Sequence, residues 1–160
     1  MKKLLWILVF GLLWCNVGFA DDFSKLSPID KMYENCTSYT KLIRSGTSNL
    51  SEVELYGATL CNEYFKGLDS GILHQMVNTL TRLDNTDQKD KVEKIVLGSC
   101  MGDPKYNVSN LNMKTHLIKL FIRYVEDNPK KIKEIENKDI PDFYPIVRVV
   151  DAALREKYPC

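Results

Sequence analysis

Apolar residues recur along most of the chain at steps of three and four, the spacing of one face of an α-helix. Ser27 followed by Pro28 is a cap with proline in the first turn, where a missing N–H does no harm. Ile29, Met32, Tyr33, Cys36, Tyr39 and Ile43 then form a stripe, which predicts a first helix running to about Arg44. Ser45 to Asn49 reads as a turn. Ser51 with Glu54 is a capping box. It opens a long second helix towards Leu83, whose stripe is Val53, Tyr56, Leu60, Tyr64, Leu68, Ile72 and Met76. Gly57, Gly67 and Gly71 lie on this helix, and each weakens a helix interior by about 1 kcal/mol relative to alanine. That cost predicts close approach of another helix at these positions.

The second half is less even. DNTDQKDK, from Asp84 to Lys91, is polar and unpatterned, a solvated loop. VEKIVLGSC, ending at Cys100, fits a short helix and a strand equally well. Ser109 is a candidate cap for a helix that buries Met113, Leu117, Leu120, Phe121 and Tyr124, and Asn128-Pro129 ends it. KKIKEIENK reads as a charged connection with room for one short exposed helix. The last helix starts between Pro141 and Pro145 and is expected to bury Phe143, Ile146, Val147, Val150, Leu154 and Tyr158. No repeat, low-complexity tract or linker divides the chain. The pattern predicts an all-α domain, a small bundle of about four to five helices.

The start of the chain speaks to compartment. Lys2 and Lys3 precede an uncharged apolar run that closes on Gly18-Phe19-Ala20, with small residues placed for a cut before Asp21. This is the layout of a secretory signal peptide over residues 1–20. A membrane anchor is the alternative, but the run barely reaches the ~17-residue limit for a span and no basic residues follow it. Trp14 before Cys15 argues against lipoprotein processing. The short lysine-led start looks bacterial, so the expected location is the periplasm, with residues 21–160 as one mature domain. Removing Lys2 and Lys3 takes the formal charge from +1 to −1. A near-neutral chain offers no electrostatic attraction for nucleic acid or an anionic membrane.

Cleavage also removes Cys15, leaving Cys36, Cys61, Cys100 and Cys160. An even number in an oxidising compartment favours two disulfides, with three possible connectivities. Cys36 and Cys61 are nearly equidistant from the turn at Ser48, so antiparallel helices bring them level. Cys100 and Cys160 follow by elimination. The end of the last helix should also return to the start of the helix after Ser109, near Cys100. A free terminal thiol for intermolecular pairing is the competing reading. Each bridge should contribute ~3–4 kcal/mol by restricting the unfolded chain.

Catalytic chemistry is hard to find in this pattern. His74 and His116 sit on different predicted helices without a metal-ligand partner at helical spacing, and each reads as an ordinary surface or half-buried histidine. GLDSG at Gly67 lacks the strand of a nucleophile elbow, and GDP at Gly102 lacks the lysine of a phosphate loop. The cysteines are committed to bridges and the carboxylates are scattered on solvated faces. The chain is therefore expected to be no enzyme, with no metal and no cofactor.

Four stretches carry a more specific signal: CNEYFKGLDSG (Cys61 to Gly71), CMGDPKYNVSNL (Cys100 to Leu111), FIRYVEDNP (Phe121 to Pro129) and VVDAALREKYPC (Val149 to Cys160). In this order, behind a signal peptide, they resemble the periplasmic immunity proteins of type VI secretion, the Tai/Rap amidase-immunity family. The chain departs from that pattern where proline follows Cys100 only at Pro104, and in the long stretch between Pro129 and Ala152. The resemblance implies a helical, disulfide-bonded, often dimeric protein that occupies the cleft of a secreted Cys-His peptidoglycan amidase. Such an inhibitor must present an ordered protrusion to a concave cleft. One candidate is the loop bearing Asp84, Asn85, Asp87 and Gln88, whose carboxylates and amides can hydrogen-bond the catalytic histidine and oxyanion donors. The other is Met101 to Asn107, stiffened by Pro104 and offering Tyr106, an aromatic of the kind found at hot spots. A periplasmic chaperone or small-ligand-binding bundle is the alternative, and needs an exposed apolar face or a cavity.

Overall fold

The computed structural model describes residues 26–82, 96, 98–101, 103–106, 112–137 and 144–160. The predicted signal peptide and the Asp84 to Lys91 loop lie outside the described residues, as do Phe143, Ser109 and most of the stretch that fits helix or strand alike. Five α-helices are described: α1 Pro28–Ser45, α2 Glu52–Arg82, α3 Met113–Asp127, α4 Pro129–Glu136 and α5 Tyr144–Lys157. Two 3-10 turns, Thr47–Asn49 and Pro104–Tyr106, join them, and the described residues contain no strand. None of the described helices is long and apolar enough to cross a membrane. The fold is an all-α bundle stapled by two disulfides, Cys36–Cys61 and Cys100–Cys160.

The local signals explain where the helices begin and end. The Ser27 side chain accepts a hydrogen bond from the Asp30 N–H at 3.0 Å, and Pro28 fills the first position of α1. Gly46, at φ 70°, ends it, where only glycine reaches that backbone conformation without strain. At Ser51 the capping box closes both ways. The Glu54 carboxylate accepts from the Ser51 N–H at 2.9 Å, and the Ser51 hydroxyl accepts from the Glu54 N–H at 3.2 Å. That backbone donor, with Lys41 beside it at 2.9 Å, pulls the Glu54 pKa down to about 2. The cap of α3 is Asn112, whose side chain accepts from the Thr115 N–H, so the helix starts three residues later than a Ser109 cap implies. Asn128-Pro129 both ends α3 and starts α4. α4 is not wholly exposed, since Ile132 reaches the core.

α1 and α2 form an antiparallel hairpin, the most extensive pairing in the bundle. α3 lies across both and pairs with α5, and α4 packs beside α5. The core gathers Ile29 and Cys36 from α1, Cys61 and Phe65 from α2, Leu117, Ile118 and Phe121 from α3, and Val149, Val150, Ala153 and Leu154 from α5. The Phe65 and Phe121 rings meet at 5.6 Å between centroids. Polar ties flank them: the Tyr33 hydroxyl donates to Glu126 at 2.9 Å, and the Lys114 ammonium donates to Asn62 at 2.7 Å.

In the first half of α2 the inner face is not the one the spacing of large apolar residues suggests, whereas Tyr64, Leu68 and Ile72 of the expected stripe do pack against the core. Gly57, Ala58, Cys61 and Phe65 point inward, while Val53, Tyr56 and Leu60 are 74%, 67% and 40% exposed. The bridge to Cys36 and the close approach at Gly57 set this rotation. A β-carbon at Gly57 would stand 2.5 Å from the Asn35 side-chain oxygen, whereas Gly67 and Gly71 face open space. Close packing is therefore real at Gly57 and absent at the other two. On α1, Ile43 is exposed beyond the end of the buried stripe, and on α5 the inward position is Val149 rather than Val147. The stripe of α3 holds, widened by Ile118.

These differences make a testable set. Gly67→Ala and Gly71→Ala should each stabilise the protein by about 0.5–1 kcal/mol, because alanine loses less backbone entropy in an open helical position. Gly57→Ala should show no such gain, since the Asn35 amide must move to admit the methyl group. Urea unfolding of the three variants checks this, and an equal gain at all three positions would contradict the close approach at Gly57.

Candidate functional site

The residues that single out Tyr106 and Cys160 in the sequence converge at the free end of α5. Pro159 cannot continue the helix, and the chain turns out after Tyr158, whose N–H still bonds the Leu154 carbonyl at 2.8 Å. From there it meets the turn that follows Gly98. Gly98 adopts φ 60°, and a β-carbon on it would lie 2.7 Å from the Arg155 guanidinium. Glycine therefore serves this position twice, for its backbone and for the arginine laid against it. The Cys100 N–H donates to the Tyr158 carbonyl at 3.0 Å, and the Cys100–Cys160 bridge holds the two Cα atoms 5.0 Å apart.

Tyr106 completes the junction. Its hydroxyl donates to the Pro159 carbonyl at 2.7 Å, and its ring meets Tyr158 edge to face at 5.0 Å. Asp103 organises the turn, accepting from the Lys105 N–H at 3.0 Å and from the Lys105 ammonium at 3.2 Å. The backbone donor, reinforced by the ammonium, holds the Asp103 carboxyl below its ordinary range, and the same carboxylate raises the Lys105 pKa. Lys105 also lies over the Tyr106 ring at 4.7 Å from its centroid. Tyr106 is thus half-buried with its hydroxyl engaged, and the turn it anchors presents Lys105 to solvent. Asp84, Asn85, Asp87 and Gln88 lie outside the described residues.

His116, read from sequence as an unremarkable histidine, belongs to the same junction. Its Nε2 shares a 2.6 Å hydrogen bond with the Tyr158 hydroxyl, and the two rings stack obliquely at 5.7 Å. Burial lowers the His116 pKa first, and the positive charges of Lys157 and Lys119 lower it further. Burial in turn raises the Tyr158 pKa, so its hydroxyl keeps its proton and can donate to the neutral imidazole. Only the tertiary pairing of α3 with α5 brings positions 116 and 158 together, and no spacing rule in the sequence announces it.

Two further surfaces escaped the pattern. An open groove of about 280 Å³ lies between α3 and α5, floored by Leu120, Tyr124 and Ala153 and rimmed by Arg123, Asp127, Glu156 and Lys157. Of its rim charges, Arg123 pairs with Asp127 at 3.6 Å, and Glu156 pairs with Lys131 outside the groove at 2.8 Å. The second surface is the outer face of α2, where Val53, Tyr56 and Leu60 follow one another at helical spacing. Among the described residues no group of His, Cys, Asp and Glu side chains could hold a metal ion, and all four described cysteines are bonded in pairs. Compared with protein-family models, with curated proteins and with solved structures, the chain matches none.

The junction makes a pH-dependent contribution to stability. The folded His116 pKa lies below the unfolded value of about 6.5, so between the two the unfolded chain binds more protons. Stability should therefore be fullest above pH ~6.5 and fall as the pH drops through the folded pKa, by at most about 1.4 kcal/mol per pH unit for one proton. His116→Gln should flatten this limb of a melting-temperature profile between about pH 7.5 and pH 5. A wild-type slope that survives the substitution would assign it to other groups.

Proposed function

We propose that the protein is a periplasmic immunity protein that binds a type VI secreted peptidoglycan amidase and blocks its Cys-His active-site cleft. The observation that carries this reading is the clamp at the end of α5. Cys100, Tyr106 and the terminal Tyr158-Pro159-Cys160, drawn from two of the stretches that resemble the amidase-immunity family, form one stapled junction. A turn held by a disulfide, a tyrosine hydroxyl and an Asp103-centred hydrogen bond keeps its shape without a partner. An inhibitor needs that property, since ordering a loose loop on binding would consume affinity. In this reading the leader of residues 1–20 is removed on export, and two disulfides suit the oxidising compartment.

The favoured contact surface is the Asp84 to Asp90 loop, with the Tyr106 turn as the other candidate. The carboxylates and amides of Asp84, Asn85, Asp87 and Gln88 are of the kind that hydrogen-bonds a catalytic histidine and oxyanion donors. The protein pairs with a second copy through the outer face of α2, where Val53, Tyr56 and Leu60 are exposed and Gly67 and Gly71 leave room for a neighbouring helix. A second reading, a periplasmic chaperone or ligand-binding protein, is favoured by the same exposed apolar residues together with the groove between α3 and α5.

Co-expression with the amidase encoded beside it should yield a stable complex that no longer cleaves wall cross-peptides. Replacing Asp84, Asn85, Asp87 and Gln88 together with alanine should weaken that complex by about 2 kcal/mol or more while leaving the circular dichroism unchanged. Full affinity in this variant would move the inhibitory surface to Tyr106 or to a helix face. Absence of any complex, with capture of unfolded periplasmic chains instead, would favour the chaperone. Light scattering at micromolar concentration should report twice the chain mass, and Tyr56→Glu should halve it.

A further inference from the structure

The two disulfides sit in opposite surroundings. Cys36 and Cys61 are both 0% exposed, sealed between α1 and α2 among the core residues around Phe65. Cys160 is exposed and Cys100 is partly so. A thiolate must reach a sulfur to exchange with it, so access and not bond count decides which bridge reacts. Reaching Cys36–Cys61 requires separating the hairpin that carries the core, an opening close in scale to global unfolding. Reaching Cys160 requires no opening.

We propose that Cys100–Cys160 is a reducible clasp, opened by a dithiol reductant under conditions in which Cys36–Cys61 stays closed. A thiolate of the reductant attacks Cys160 Sγ, the S–S bond breaks, and its electron pair leaves on Cys100 Sγ, which takes up a proton. The second thiol of the reductant, as thiolate, then attacks the mixed disulfide at its own sulfur. This releases the Cys160 thiolate, which is protonated, and leaves the reductant as an intramolecular disulfide. Two electrons and two protons pass from the dithiol to the protein.

The clasp has a defined radius of action. Tyr158 stays in place when it opens, because it is 3% exposed, bonded to His116 and still part of the last turn of α5. The pieces that lose their covalent tie are Cys160 and the turn from Cys100 to Tyr106. They are then held without a covalent bond, by the Cys100 N–H on the Tyr158 carbonyl, the Tyr106 hydroxyl on the Pro159 carbonyl, the Tyr106–Tyr158 ring contact and the buried Met101 side chain. Opening therefore loosens the turn beyond Met101, from Asp103 to Tyr106, while Met101 and the rest of the core stay packed. The regulatory meaning rests on the immunity reading above: the reduced protein is the weaker inhibitor.

The test is a titration of the intact, oxidised protein with dithiothreitol, followed by alkylation of free thiols and peptide mass spectrometry. Cys100 and Cys160 should be alkylated at reductant concentrations at least ~10-fold lower than Cys36 and Cys61, in keeping with access-limited exchange. Simultaneous labelling of all four, or labelling of Cys36 and Cys61 first, overturns the proposal. Hydrogen exchange on the selectively reduced protein and on a Cys100→Ser/Cys160→Ser double variant should accelerate over Asp103 to Tyr106 and stay unchanged over α1, α2 and most of α5. Unchanged exchange at the turn also overturns it. Selective reduction and a loosened turn in a protein that binds no amidase would overturn the proposed function and leave the clasp standing.

Discussion

The rotation of α2 about its own axis is the constraint from which the rest of the arrangement follows. One covalent bond, Cys36–Cys61, and one steric allowance, the missing side chain at Gly57 against Asn35, orient a helix of 31 residues. With Cys61 turned inward, Phe65 follows one turn later and meets Phe121, which seats α3 across the hairpin. The same rotation drives Val53, Tyr56 and Leu60 outward. A helix carrying apolar side chains on both faces has only one of them filled by its own chain. What the hairpin gains in the core, it leaves as an uncovered surface outside.

The second organising contact is the return of α5 to the start of α3. The bridge between Cys100 and Cys160 spans 60 residues, but neighbours of quite different chemistry share its task. A backbone bond from Cys100 to Tyr158, the tyrosine pair, and the His116–Tyr158 bond all meet within one end of the bundle. Their combined effect is directional. Tyr158 is held from the α3 side by His116 and from the turn side by Tyr106, so one buried tyrosine couples a helix, a loop and the chain end.

That coupling is what links fold to the proposed role. Rigid presentation of a turn on a small bundle lets binding energy go into contacts instead of ordering. The groove between α3 and α5 shows a different character, an open surface where Arg123, Asp127 and Glu156 are engaged in ion pairs. The clamp and the outer face of α2 are therefore the places where this molecule has committed structure or apolar area beyond what its core requires.

By itself the sequence determined the local features: the all-α class, the Ser27-Pro28 start, the Ser51–Glu54 box, the break at Asn128-Pro129 and the two cysteine pairs. Each depends on atoms within a few residues, on symmetry about one short turn or, for Cys100–Cys160, on elimination once the first pair is placed. Tertiary structure decided what depends on a distant neighbour. Periodicity in α2 runs on two faces at once, and only the bridge and the Asn35 approach select Cys61 and Phe65 over Tyr56 and Leu60. In α5 the choice of Val149 over Val147 likewise belongs to the elements it packs on, α1, α3 and α4. His116 acquires its role from Tyr158, forty-two residues away, through packing that no residue pattern encodes. Spacing tells a helix which residues share a face, and the partner helix decides which face is inside.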